Sequence, residues 1–397
     1  MRTLSYSLLK RIVYCFALLC IVFIPFPFYV FPFQAKYTAA LFGGLISFTA
    51  EHLFHVPLFT TIVFSDSASL YILLFLLLII ACLVAILLSY RKIDFVRVYP
   101  VLQWIISYYL SLQLLKYGAD KLFKAQFYLP EPNTLFTPFG KLDKDLLFWS
   151  TMGVSRPYIL FLGGTEILAA LLLLFRRTRV AGALIAVAIL CNVIAINFSY
   201  DVSVKVYSLF LLLLALLLSA SFMLRLLRYG ILQQPLEIKL VGDNRIDHHK
   251  RLFIIRSLVV IVLFFEAFYP YVKRGNYNDD TAVRPFLHGA YEVQPDSAQT
   301  DIKRFFVHRE GYMIFQDQQD IMTDYRLTID TIQHQLLLNN YRLGAMHIPY
   351  EWNKEDSILT LQYTVNNKPC VLRGKATNWK ALPALQYSFH WVSDGTR

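Results

Sequence analysis

The sequence predicts a mainly α-helical membrane protein with about seven transmembrane helices and a C-terminal antiparallel β-barrel or sandwich. Hydrophobic residues make up 56% of the 397 residues and charged residues 16%, whereas soluble domains contain roughly 45–50% and about 25%. Several apolar runs reach about 20 residues, the length an α-helix needs to cross a bilayer core. After about residue 285 the pattern changes to short alternating segments, which are typical of β-strands.

Seven segments are apolar enough to be predicted as membrane spans. Two prolines, Pro25 and Pro27, are expected to bend or end the first of them. Residues 31–67 are too polar to cross the membrane, and we expect an interfacial or re-entrant helix there. The predicted spans are approximately 11–30, 68–90, 99–118, 156–175, 180–199, 205–224 and 252–272.

Lysine and arginine are concentrated in alternate connections between these spans, which predicts the orientation. Basic residues precede the first span, follow the second and fourth, and lie between the sixth and seventh, whereas residues 31–67 contain only Lys36. The prediction is a bacterial inner-membrane protein with a cytoplasmic N-terminus and a periplasmic C-terminal domain. The net charge of +11 is explained by this topology, so the lipid bilayer is an expected partner and nucleic acid is not.

Four regions follow from this organisation. Residues 1–98 are predicted to form a membrane hairpin with a long outer loop, and residues 99–228 a four-helix membrane bundle. Residues 229–272 hold a cytoplasmic loop and the seventh span. Residues 285–397 hold eight or so short strands within about 110 residues, as in a small lipocalin-like barrel.

Metal and dithiol chemistry have little support in the sequence. The five cysteines form no Cys-x-x-Cys motif, and four of them lie in predicted spans. His52 and His55 are three residues apart and can share a helix face, which makes them weak candidates for metal ligands. No third ligand is evident, so a polar cap at the membrane interface is the alternative.

Ionisable residues inside predicted spans are costly and mark candidate sites. Glu166 lies ten residues before Arg176, which places it about 15 Å from the cytoplasmic boundary. It is the candidate proton-transfer residue, and Lys121 is a second tentative catalytic residue. Lys116 and Asp120 are spaced as an i, i+4 pair on the third span.

The fifth and sixth spans contribute further polar residues around the segment NFSYDVSVK. We predict that this segment closes the outer end of a polar pocket among spans three to six. The alternative is that Asp201 and Lys205 cap the sixth helix while Tyr200 belongs to the aromatic belt. The predicted pocket residues are Lys116, Asp120, Asn192, Asn197, Tyr200, Asp201 and Lys205.

Three segments, YGADKLFKAQF, GGTEILAALLLLFRRTRVAGALI and NFSYDVSVKVYSLFLLLLAL, resemble the DoxX-like family of membrane proteins. The likeness is closest to long Bacteroidetes-type members with a C-terminal domain. It also includes His52-Leu53-Phe54, the segment Gly289 to Val293 and Phe389-His390-Trp391. The resemblance implies a DoxX-like bundle in spans three to six and a link to quinone-dependent or thiol redox systems. The chain lacks the paired outer cysteines that a thiol relay needs.

Three functions remain open on the sequence, which does not decide whether the protein is an enzyme. The first is a membrane subunit of a quinone- or thiol-linked redox system, with quinone as the expected cofactor and a redox protein as partner. The second is a non-enzymatic protein that binds lipid or anchors a partner and carries a lipocalin-like outer domain. The third is a carboxylase-like membrane enzyme, an analogy of architecture alone.

Overall fold

Ten α-helices followed by eight β-strands form the described part of the chain. The computed structural model describes residues 8–26, 29–30, 33–233, 250–295, 297, 301–340, 344–365, 368–387 and 391. The chain divides into two units. The helical unit comprises Met1–Gln126 and Pro157–Asn278, and the barrel unit comprises Phe127–Arg156 and Asp279–Arg397.

The helices follow the apolar segments of the sequence. The first ends at Phe23, two residues before Pro25, as expected from the proline's missing N–H group. A five-residue π-helix, Ala50–Phe54, continues the second helix in the region predicted to be interfacial or re-entrant. The helices are α1 (Leu8–Phe23), α2 (Gln34–Thr49), α3 (Ala68–Tyr90), α4 (Phe95–Leu122), α5 (Pro132–Leu135), α6 (Lys144–Val154), α7 (Arg156–Leu174), α8 (Arg179–Ser199), α9 (Lys205–Leu232) and α10 (Lys250–Arg274).

Each of the seven predicted spans contains a helix, and five of these are long and apolar enough to cross a membrane. Of the other two, α1 has only 16 residues, and α4 interrupts its apolar residues with tyrosine, serine and glutamine. The protein is therefore a multi-pass membrane protein. The five candidate spans are Ala68–Tyr90, Arg156–Leu174, Arg179–Ser199, Lys205–Ile231 and Ile254–Thr281.

Small residues bring α4 and α7 into backbone contact within the helical unit. A Cβ atom added to Gly118 would lie 2.6 Å from the Ile167 side chain and 2.9 Å from the Gly163 carbonyl oxygen. Two turns earlier on the same face of α4, the Ser111 hydroxyl donates a 2.8 Å hydrogen bond to the Ala170 carbonyl. Close approach through small residues is a common mode of packing between membrane helices. It fixes which side chains of α4 face α7.

The eight strands form a closed antiparallel barrel in which each strand pairs with the next and β1 pairs with β8. This confirms the predicted C-terminal β-domain and selects a barrel over a sandwich. The strands are β1 (Gly289–Val293), β2 (Ile302–His308), β3 (Tyr312–Asp317), β4 (Met322–Asp330), β5 (Gln335–Asn340), β6 (Gly344–Asn353), β7 (Ile358–Val365) and β8 (Lys368–Thr377).

Alternate residues of each strand point into the barrel, and one end of the interior is filled by large side chains. Tyr291 and Phe305 stack there with ring centroids 5.0 Å apart. A Cβ atom at Gly374 would lie 2.3 Å from the Phe305 ring, so only glycine leaves room for that ring. Leu336 and Leu359 are fully buried in the same cluster.

The outer face of β1–β3 is covered by other parts of the barrel unit. Ala290, Phe306 and Ile314 point outward, yet they are buried beneath Trp379 and side chains of two flanking segments. These segments supply Leu129, Leu135, Phe136, Leu382 and Leu385. Phe389 and His390, which contribute to the DoxX-like resemblance, lie outside the described residues.

Candidate functional site

Glu166 and Lys121 form a buried ion pair in the helical unit. The Lys121 ammonium lies 2.9 and 2.8 Å from the two carboxylate oxygens of Glu166. The two side chains are 7% and 5% exposed. Lys121 packs beside Gly163, where an added Cβ atom would lie 3.0 Å from the Lys121 Cβ atom, and its side chain reaches Glu166 about one turn further along α7. The structure thus brings together the two candidate catalytic residues.

A second group of polar residues joins α4 to α10. Lys116 lies 3.6 Å from a carboxylate oxygen of Glu266, and its ammonium is 3.9 Å from the centre of the Tyr29 ring. The Tyr271 hydroxyl donates a hydrogen bond to Asp120. Lys116 and Asp120 therefore contact α10, whereas Lys121 on the same helix contacts α7.

Glu266 is also anchored by backbone. Its two carboxylate oxygens accept hydrogen bonds from the amides of Tyr29 and Val30, the second at 3.0 Å. Five ionisable side chains thus meet on α4, α7 and α10, and we call them the membrane charge cluster. They are Lys116, Asp120, Lys121, Glu166 and Glu266.

Gln113, one turn before Lys116, adds an unsatisfied amide to this region. It is fully buried, and neither its oxygen nor its nitrogen has a hydrogen-bond partner within the described part of the chain. Buried amides normally have partners, so such a group indicates an internal water or a polar ligand atom. Gln113 can therefore bind a water molecule or a polar ligand atom about one turn from Lys116 on α4.

The other predicted pocket residues lie around the turn between α8 and α9. The buried Asn197 amide donates a 3.1 Å hydrogen bond to Ser208. Asp201, 85% exposed, pairs with Lys205 at 2.6 Å. Tyr200 is half-buried, and Asn192 lies on the exposed face of α8.

The N-terminus of α9 is capped from another segment. Asp66 accepts hydrogen bonds from the amides of Lys205 and Val206 at 2.9 and 3.0 Å. A carboxylate at this position satisfies free N–H groups and complements the helix dipole. Asp66 therefore stabilises the turn, and no pattern in the sequence points to this role.

The two histidines considered as metal ligands face backbone carbonyls. Nδ1 of His52 lies 3.2 Å from the Phe48 oxygen, and Nδ1 of His55 lies 2.8 Å from the Glu51 oxygen. Within the described ranges, no three His, Cys, Asp or Glu side chains are grouped as a metal site requires.

The barrel contains a cavity of about 890 Å³ at the end opposite to the filled interior. Asp317, Thr323 and Pro369 lie at strand ends on its wall, which places it beside the β3–β4 and β7–β8 connections. Small-molecule sites commonly measure about 300–1,000 Å³. Its lining residues are Ile302, Phe315, Asp317, Ile321, Thr323, Tyr325, Leu338, Met346, His347, Ile348, Pro349, Leu361, Gln362, Tyr363, Thr364, Pro369, Cys370, Val371 and Leu372.

A buried ion network ties the segment before α5 to the barrel. Glu131 is 4% exposed and lies 2.8 Å from His288 Nε2 and 3.2 Å from Arg309 Nε. Arg309 also pairs with Asp279, and His308 Nε2 lies 4.0 Å from Glu131. Sequence reasoning missed this network, and its only local signal is an acidic residue between two prolines.

Electrostatics hold Glu131 in its ionised form. Burial alone raises the pKa of a carboxyl group, but the hydrogen bond from His288 and the neighbouring positive charges outweigh it. The pKa of Glu131 therefore lies below its ordinary value of 4.5. Burial lowers the pKa of His308 below 6.5, although Glu131 opposes this shift.

Comparison with known proteins gives one informative match. The chain is 36% identical over 110 residues to the uncharacterized protein YwoB of Bacillus subtilis (strain 168). The aligned stretch is 28% of this chain and 70% of that protein. Neither a protein-family model nor a solved structure matches the chain.

Proposed function

The chain belongs to the family of the Bacillus subtilis protein YwoB, and we propose that it is a membrane-anchored protein whose barrel binds a lipophilic small molecule. The cavity of about 890 Å³ is the observation that carries this proposal. Interiors of eight-stranded barrels are either filled by side chains or wide enough to hold one small ligand. Here one end is filled by Tyr291 and Phe305, and the other is open.

The cavity wall has the composition of a site for an apolar molecule. Strand alternation directs Phe315, Leu338, Ile348, Leu361 and Leu372 inward. Such sites combine a mainly apolar wall with a few polar groups that orient the ligand. Hydroxyl groups come from Thr323, Tyr325 and Tyr363.

Photolabelling of the full-length protein in nanodiscs tests this function. An alkyl diazirine probe should label peptides of β3–β8, and excess unlabelled alkane should protect them. Met346→Trp places an indole in the cavity and should reduce this labelling by about tenfold, because the site depends on empty volume. Met346 is a half-buried residue of the cavity wall.

Thr328→Trp is the matched control, because Thr328 is exposed on the outer face of β4. It should label like the unsubstituted protein. Equal labelling of the Met346→Trp and Thr328→Trp proteins, or no protected label in the barrel, would rule out the cavity as a binding site.

The proposed setting is the bacterial inner membrane, with the N-terminus in the cytoplasm and the barrel in the periplasm. The distribution of lysine and arginine supports this orientation. A C-terminal alkaline phosphatase fusion should therefore be active in cells, and a C-terminal fluorescent protein should be dark. The reverse pattern would place the barrel in the cytoplasm.

A second candidate function is a membrane subunit of a quinone- or thiol-linked redox system, as the DoxX-like resemblance implies. The buried Lys121–Glu166 pair favours it, because quinone chemistry requires a group that moves protons in an apolar environment. Gln113 offers an unsatisfied amide nearby. Quinone in organic extracts of both the unsubstituted protein and the Met346→Trp protein would support this function, because the second protein has a filled barrel cavity.

A further inference from the structure

Charge is scarce on the wall of the barrel cavity, and this limits what the cavity can hold. Among the described lining residues there is no lysine or arginine. The acidic one, Asp317, accepts hydrogen bonds from the amides of Gln319 and Ile321 at 2.9 and 2.7 Å. Its carboxylate is thus engaged in the β3–β4 turn, where it adds negative charge beside the cavity.

An anionic head group would meet unfavourable conditions in this cavity. A carboxylate or sulfate that leaves water needs a cation or several hydrogen-bond donors to compensate for lost hydration. Besides Asp317, the inward-facing polar side chains of the described wall are the hydroxyls of Thr323, Tyr325 and Tyr363 and the Cys370 thiol. His347, Gln362 and Thr364 also line the cavity, but they are exposed and alternate with the inward-facing residues of their strands. Lys303 lies in the same barrel, but it forms an ion pair with Asp320 at 3.1 Å.

A neutral polar group suits the same wall. Tyrosine and threonine hydroxyls donate one hydrogen bond and accept others, which matches an alcohol, a carbonyl or an ester. Tyr325 packs edge-to-face on Phe315, with ring centroids 5.7 Å apart. The wall therefore presents hydroxyl groups beside aromatic and aliphatic surface.

We infer that the cavity selects an uncharged lipophilic molecule, such as a long-chain alcohol, ester or quinone, and discriminates against fatty acids and other anionic amphiphiles. This inference rests on the proposed binding function and adds the class of ligand. The discrimination is electrostatic, because both classes fill the apolar part of the cavity equally well.

Competition between two ligands with the same chain tests the inference. Oleyl alcohol and oleyl sulfate, added at equal mole fraction to nanodiscs that hold the full-length protein, share one chain and carry a neutral hydroxyl and an anionic sulfate head group. Oleyl alcohol should prevent diazirine labelling of the barrel about tenfold more effectively than oleyl sulfate, because burying an unpaired charge is costly. Equal competition would overturn the inference.

A charge introduced at the mouth of the cavity provides the second arm. Thr323 is exposed and lines the cavity. Thr323→Lys should therefore improve competition by oleyl sulfate and narrow the difference in effectiveness between oleyl alcohol and oleyl sulfate. Thr328→Lys, on the outer face of the same strand, should leave it unchanged. If oleyl alcohol and oleyl sulfate differ as much in the Thr323→Lys protein as in the unsubstituted protein, the inference is also contradicted. Absence of any label in the barrel would instead refute the binding function itself.

Discussion

Glu166→Gln is expected to destabilise the helical unit by about 3–5 kcal/mol, the usual cost of removing one partner of a buried ion pair. The glutamine keeps the shape of the side chain but removes the negative charge that contacts the Lys121 ammonium at 2.8 Å. Both side chains are buried, so water cannot replace the lost interaction. Chemical denaturation in mixed micelles, followed by tryptophan fluorescence, measures the change.

A double variant distinguishes the charge from the shape. Lys121→Met together with Glu166→Gln removes both charges, and most of the lost stability should return, because neutral pairs replace buried ion pairs at little cost. If Glu166→Gln alone is as stable as the unsubstituted protein, the ion pair does not support the fold. If the double variant is stable but loses a redox phenotype that the unsubstituted protein has, Glu166 acts in function as well as in structure.

Glu131→Gln is expected to destabilise the barrel unit by about 3–5 kcal/mol, because it removes the buried negative charge that Arg309 and His288 contact and leaves Arg309 with Asp279 alone. The affected contacts lie at 2.8 and 3.2 Å in a buried site. Hydrogen exchange of the β1 and β2 amides should accelerate. Glu292→Gln is the control, since Glu292 is 58% exposed and pairs with Arg304. Equal exchange in the two variants would contradict this role.

The same network predicts that acid loosens the barrel unit. The pKa of His308 is lowered on folding, so the unfolded chain binds its proton first and stability declines as the pH falls below 6.5. The pKa of Glu131 is also lowered, so its contribution is present above pH 4.5 and is lost as the pH falls through its folded value. Protection factors of the β1 and β2 amides, which correct for the pH dependence of intrinsic exchange, should decrease from pH 8 to pH 4.

The sequence predicted the elements of the fold because each has a strong periodic signal. Apolar runs located helices at all seven predicted spans, and alternating segments located the barrel. The spacing from Arg176 placed Glu166 deep in the membrane. It did not identify Lys121 as its direct partner, because that pairing depends on the rotation of α4 against α7, which Gly118 and Gly163 set.

Features that join distant residues were beyond sequence reasoning. Glu131 and His288 are 157 positions apart, and no periodicity connects a loop carboxylate with a histidine that precedes a strand. The cavity could not be predicted from the sequence either, because alternation shows which side chains point inward but not whether they fill the barrel. The three-dimensional packing is needed to show that Tyr291 and Phe305 fill one end and that a cavity occupies the other.

Mass spectrometry of organic extracts from the full-length protein is the most direct test of the central claim that the barrel binds a lipophilic molecule. The unsubstituted and Thr328→Trp proteins should each release an uncharged lipophile at about one molecule per chain, as expected for a single cavity. The Met346→Trp protein should release little of it. The same lipophile at the same ratio in all three extracts, or none in any of them, would contradict the claim.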